Sequence, residues 1–139
     1  MRTRIIVTLC WLFAVFCPGT IATSGNVSGG GARESAIAYL TEPTLIGSTI
    51  VQGPVLFTHD TVKMARGEPC TSVQLFDPGK GPVEEIASFH CTPVRRAPVR
   101  TFTMRTQPNT DVGFGCVLTE YQFAGDSEGH GVPVAATAH

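Results

Sequence analysis

The sequence predicts an all-β protein: a single antiparallel β-sandwich or small barrel of six to seven short strands after a cleaved signal peptide. Three observations lead there. Short β-branched and apolar stretches recur at roughly ten-residue spacing. Ten prolines and fifteen glycines are spread along the chain, too many helix breakers for a helical domain. An uncharged apolar run stands at the N-terminus.

That run defines the first segment. Met1-Arg2-Thr3-Arg4 is basic, Ile5 to Phe16 is apolar without a charge, Pro18 and Gly19 break it, and small residues follow to Gly25. The pattern is that of a secretory signal peptide, with cleavage expected after Ala22 or Ser24. About a dozen apolar residues is short for a spanning helix, which needs about 20. Cys17 follows Phe16 rather than the small residues that a lipid-modified cysteine requires. The expected organisation is therefore 1–24 signal peptide, 25–34 flexible Gly/Ser leader and 35–135 β-domain, exported to the periplasm or the cell exterior.

About 115 residues remain after the signal, enough for one domain with one core. Arg2 and Arg4 leave with it, so eight basic residues face eleven acidic ones, a formal net charge of −3. No basic stripe marks a nucleic-acid partner. No further apolar run is long enough to give the mature chain a membrane span.

Along the domain, Ala36 to Leu40 predicts a strand stopped at Glu42-Pro43. Leu45 to Val51 predicts a second, with Gly47 as a bulge, and Gln52-Gly53 a turn. In the next strand Val55, Phe57 and His59 share one face. Asp60 to Pro69 holds at most one helical turn, capped by Asp60 or Thr61 and stopped by Gly67. Cys70 to Phe76 and Val83 to Cys91 flank the D-P-G-K-G-P turn at 77–82, the clearest turn signal in the chain. Thr92 to Pro98 reads as irregular. Val99 to Thr106 is a strand with Phe102 and Met104 on one face, and Cys116 to Phe123 is the last strand, followed by a glycine-rich tail.

Cys10 and Cys17 leave with the signal, so Cys70, Cys91 and Cys116 remain. In an exported protein this odd count predicts one disulfide plus a free thiol, which leaves a covalent dimer open. Cys70 and Cys91 are the favoured pair, because the intervening turn lets their strands face each other; Cys116 is then the free thiol. Closing that loop of about 22 residues would contribute on the order of 3 kcal/mol. The alternative is three buried thiols behaving as small apolar residues.

The stretch from His59 to Cys91 gathers the chemistry-bearing side chains. His59, Met64, Cys70, His90, Cys91 and His130 form a candidate copper or zinc set, since soft sulfur with imidazole suits those ions. The spacing matches no standard signature, and His90 and Cys91, being adjacent, point to opposite faces of a regular strand. A Cys–His nucleophile, Cys91 or Cys116 with His59 or His130, lacks any supporting motif. Asp126 and Glu128 suggest a hard cation but without the calcium-loop pattern, and the segment reads as a solvated turn. Arg95, Arg96, Arg100 and Arg105 read as a mixed-charge face, with only Phe102 interleaved.

The run His59–Asp60 with Met64 to Thr71, together with Phe89-His90-Cys91 and Gln122 to Gly131, resembles small exported bacterial proteins of unassigned function. That resemblance implies export and small size, and brings no activity. The expected function is a non-catalytic structural or ligand-binding module with no cofactor and an unidentified partner. The alternative is a copper- or zinc-binding or thiol-redox protein centred on His59–Cys91.

Overall fold

The computed structural model describes residues 32–134; the segment read as a signal peptide lies outside them, as does most of the leader. Strands β1 (Arg33–Ile46) and β2 (Thr49–Asp60) are followed by the single-turn helix α1 (Thr61–Ala65), then β3 (Thr71–Asp77), β4 (Gly81–Phe89), β5 (Thr92–Arg95), β6 (Thr103–Pro108), β7 (Cys116–Gln122) and β8 (Glu128–Gly131). They form one eight-stranded sheet in the order β4-β3-β2-β1-β7-β8-β5, with β6 paired beside β7.

The β-rich class expected from the sequence is therefore found, but the sheet is not purely antiparallel. β1 and β7 run parallel through Thr44↔Cys116 and Leu45↔Val117. β1 is also irregular, since its register against β2 breaks between Leu40 and Thr44. Pro43 lies in that gap and has no N–H for the ladder. Beyond the break, the end of β1 pairs with β2 on one side and β7 on the other. Hydrogen bonding leaves β4 and β5 as open ends of the sheet.

Two glycines exchange the roles expected of them. Gly47-Ser48 is the β1–β2 hairpin turn, joining Ile46↔Thr49, whereas Gly53 stays inside β2 next to the register break. Both have positive φ, 62° and 98°, so both positions favour glycine. Local sequence does not decide which one reverses the chain. Thr92 to Arg95, expected to be irregular, is an edge strand paired only with β8, a setting in which a sheet tolerates a proline such as Pro93.

The core forms where the two parts of the sheet meet. Val55, Phe57 and His59 alternate inward along β2 as expected. Phe57 packs against Phe102 and Tyr121, both with ring centroids 5.2 Å away. Phe102 meets Phe123 at 5.3 Å. Tyr121 of β7 is fully buried and its hydroxyl hydrogen-bonds the Thr71 hydroxyl of β3. These contacts set β7 against β2 and β3, strands it does not neighbour in the hydrogen-bonded order.

β8 is fixed by an ion-pair cluster. Glu120 accepts hydrogen bonds from Arg96 at 2.9 and 2.6 Å and from Arg105 at 3.1 Å. Gly129 of β8 lies so close that a Cβ there would collide with the Glu120 carboxylate. Two arginines of the face read as mixed-charge, Arg96 and Arg105, thus pair with a carboxylate within the fold. The Arg96 guanidinium holds the Glu120 carboxyl below its usual 4.5, with burial opposing. A depressed folded value means that this pairing contributes fully above the ordinary 4.5 and is lost as pH falls from there through the lower folded value. Wild type is therefore expected to melt above Glu120→Gln at pH 7, with the two melting temperatures converging below about pH 4; thermal melts across pH check this.

Candidate metal centre

The strand ladder places the donors in a row. Glu34 of β1 lies opposite His59 of β2, His59 opposite Thr71 of β3, and Thr71 opposite Phe89 of β4. Residues directly opposed across strands share a face. β2 ends at Asp60, whose carboxylate accepts from the Val62 and Lys63 amides, both at 3.0 Å, and so caps α1. The Asp60 amide donates to the Cys70 carbonyl at 2.9 Å. The excursion from 61 to 69 thereby closes on itself and delivers Cys70 beside the end of β2. Met64 of α1 is partly buried against the apolar core.

The β3–β4 hairpin then brings Cys91 back to Cys70. Their sulfurs are 3.2 Å apart and the Cys91 amide donates to Cys70 Sγ at 3.3 Å. The two cysteines meet as expected but not as a bridge: both are buried free thiols, well outside the roughly 2.05 Å of an S–S bond. Cys116 lies at the start of β7, with its Sγ 3.5 Å from a Glu42 carboxylate oxygen.

The glycine-rich segment expected to be a solvated turn is strand β8, and it carries His130 into the interior. His130 pairs with Tyr121 across the ladder and stacks on its ring at 4.9 Å. Its Nδ1 is 3.5 Å from Cys91 Sγ, and its ring lies 4.2 Å from that of His59. His90 behaves as its place next to Cys91 dictates: Cys91 is buried and His90 exposed, with His90 Nδ1 touching Cys70 Sγ at 3.4 Å from outside.

Two donor trios result, and they share a residue. Ligand atoms of His59, Cys70 and Cys91 lie within 4.8 Å of one another, and so do those of Glu34, His59 and His130. Glu34 was assigned to the leader by sequence. Its place follows only from β1 beginning at Arg33 and pairing with β2, and its local sequence carries no such signal.

The electrostatics of the site run in one direction. Burial pushes the Cys91 thiol up to about 12, helped by Cys70. Burial lowers His59, and it lowers His130 to about 4, helped by the neighbouring His59. Burial and then the Asp126 carboxylate push Glu34 up to about 7. Low dielectric disfavours every charged form. The ligand-free site thus holds neutral imidazoles and a protonated Cys91 thiol, and among the described residues both ring nitrogens of His59 and Nε2 of His130 are buried without a hydrogen-bond partner. Buried polar atoms are ordinarily paired, and neutral imidazole is the form that ligates metals. The Cys91–His130 distance is within range for a nucleophilic pair, but a thiol held that high is not the thiolate such chemistry needs.

A cleft of about 310 Å³ reaches the imidazoles, lined by Glu34, Asp126, Glu128, Thr61 and the two histidines. Asp126 and Glu128 therefore border the site rather than a separate turn. Compared with known protein families, curated proteins and solved structures, the chain matches none. Among the described residues no helix is long and apolar enough to cross a membrane.

An unpartnered buried imidazole is costly to the metal-free fold. His59→Leu, of similar bulk and without the orphaned nitrogens, is expected to stabilise the metal-free protein by about 1–2 kcal/mol. Denaturant unfolding in chelator measures it; a less stable variant would show that the His59 nitrogens have partners in solution.

Proposed function

We propose that this chain is a metal-binding domain whose resident ion is thiophilic, zinc(II) or copper(I), held by His59, Cys70 and Cys91. One observation carries the reading: a fully buried histidine with no partner for either ring nitrogen stands within 4.8 Å of two free thiols. Two thiolates and an imidazole select such ions over calcium or magnesium, which take oxygen ligands. All three donors are buried, which suits retention of an ion rather than its presentation to a substrate. The role is thus that of a ligand-binding module, with the ligand now given a chemical class. Binding releases the thiol protons, so a cation supplies the charge that the dry site otherwise refuses. The basic N-terminus and the apolar run from Ile5 to Phe16 support export, which would place the site in the periplasm or outside the cell.

Reduced, metal-free protein titrated with cobalt(II), a spectroscopic substitute for zinc, is expected to develop cobalt–thiolate charge-transfer absorption. Copper(I) is expected to bind in competition with a chromogenic chelator. Cys70→Ser and Cys91→Ser should each weaken the absorption, and the double variant should abolish it. A wild-type protein that binds neither ion overturns the reading.

A further inference from the structure

The second trio differs from the first in chemistry and in access. Glu34, His59 and His130 offer one carboxylate oxygen and two imidazole nitrogens without sulfur, and all three line the cleft. His130 is 2% exposed and its Nε2 has no partner. Asp126 and Glu128 stand on the same cleft wall, so a cation approaching it meets carboxylates before it meets imidazole. Three protein ligands facing a solvent-filled cleft leave positions for water, the arrangement of an exchangeable ion. Of the thiol trio, His59 alone lines this cleft, and it belongs to both trios.

Building on the metal-binding reading above, we propose that Glu34, His59 and His130 form a second, cleft-facing site that captures a hydrated divalent cation and passes it to the thiols through the shared His59. In the transfer, bonds from the ion to Glu34 and His130 break as bonds to Cys70 and Cys91 sulfur form. Each thiol loses its proton, two in all, which leave through the cleft to water; the ion keeps its oxidation state. His59 belongs to both sites and is the residue through which they adjoin. The carboxylates of the cleft raise the local cation concentration, an effect on rate rather than on final occupancy.

Two variants of the full chain test this, using cobalt(II) and the reduced, metal-free protein. In stopped-flow mixing, Glu34→Gln is expected to reach the wild-type cobalt–thiolate absorption about tenfold more slowly. The Cys70→Ser, Cys91→Ser double variant is expected still to bind cobalt(II) in equilibrium dialysis, more weakly and without thiolate absorption, and to lose that binding when His130→Ala is added. Filling of Glu34→Gln at the wild-type rate, or no cobalt binding by the double cysteine variant, overturns the capture site while leaving the thiol site standing. Absence of thiolate absorption in wild type removes the thiol site itself, a separate result.

Discussion

The break in β1 between Leu40 and Thr44 is the constraint on which the rest of the molecule depends. Past the break, the end of β1 pairs with β2 along one edge and takes up β7 in parallel along the other. β7 carries β6 and β8 with it. That arrangement sets Tyr121 against Phe57 and Thr71 and His130 against His59. Each imidazole comes from a different part of the sheet, so the Glu34–His59–His130 trio exists only once the long-range pairing is complete, whereas the thiol trio needs only β2, β3 and β4.

How far the site was legible follows from how local each contribution is. The inward alternation of Val55, Phe57 and His59 needs only the two-residue period of a strand. The meeting of Cys70 and Cys91 needs only a hairpin, and the D-P-G-K-G-P run announces it; Asp77 indeed accepts from the Gly79 amide at 2.8 Å. Whether the two sulfurs bond is a matter of a further ångström, which spacing does not encode. β8 was illegible because E-G-H-G has neither β-branched residues nor alternation. It is a strand because Glu120 and its arginines demand a residue without a side chain at Gly129, and because the His130 ring finds Tyr121 to stack on. Glu34 was hidden for the same reason: its role is set by its partner across the ladder, not by its neighbours in sequence.

The electrostatic character of the centre follows from the same packing. Exposed histidines and carboxylates near one another would titrate independently and be screened by salt. Here the aromatic rings of Tyr121 and Phe123 lie against His130 at 4.9 and 5.9 Å and cover the side of it that does not face the cleft. Desolvation, rather than any single charged neighbour, is the largest influence on His59, His130, Cys91 and Glu34 alike. A site of this kind has too few internal hydrogen-bond partners for its nitrogens and too low a dielectric for its charges. Folding a chain around such a cluster costs stability, and sites that break the ordinary rules of burial are where function is expected.

A bound cation changes the sign of nearly every unfavourable feature at once. It accepts lone pairs that have no hydrogen-bond donor, and it favours the thiolates that burial alone disfavours. The His59–Cys70–Cys91 trio is the enclosed end of the cluster and the Glu34 carboxylate its open end, with donor softness falling in the same direction. An ion that prefers sulfur therefore gains by moving inward, whereas one that prefers oxygen gains nothing beyond His59. Selectivity on this view rests on the order in which the donors are met, and that order is fixed by which strand carries each of them.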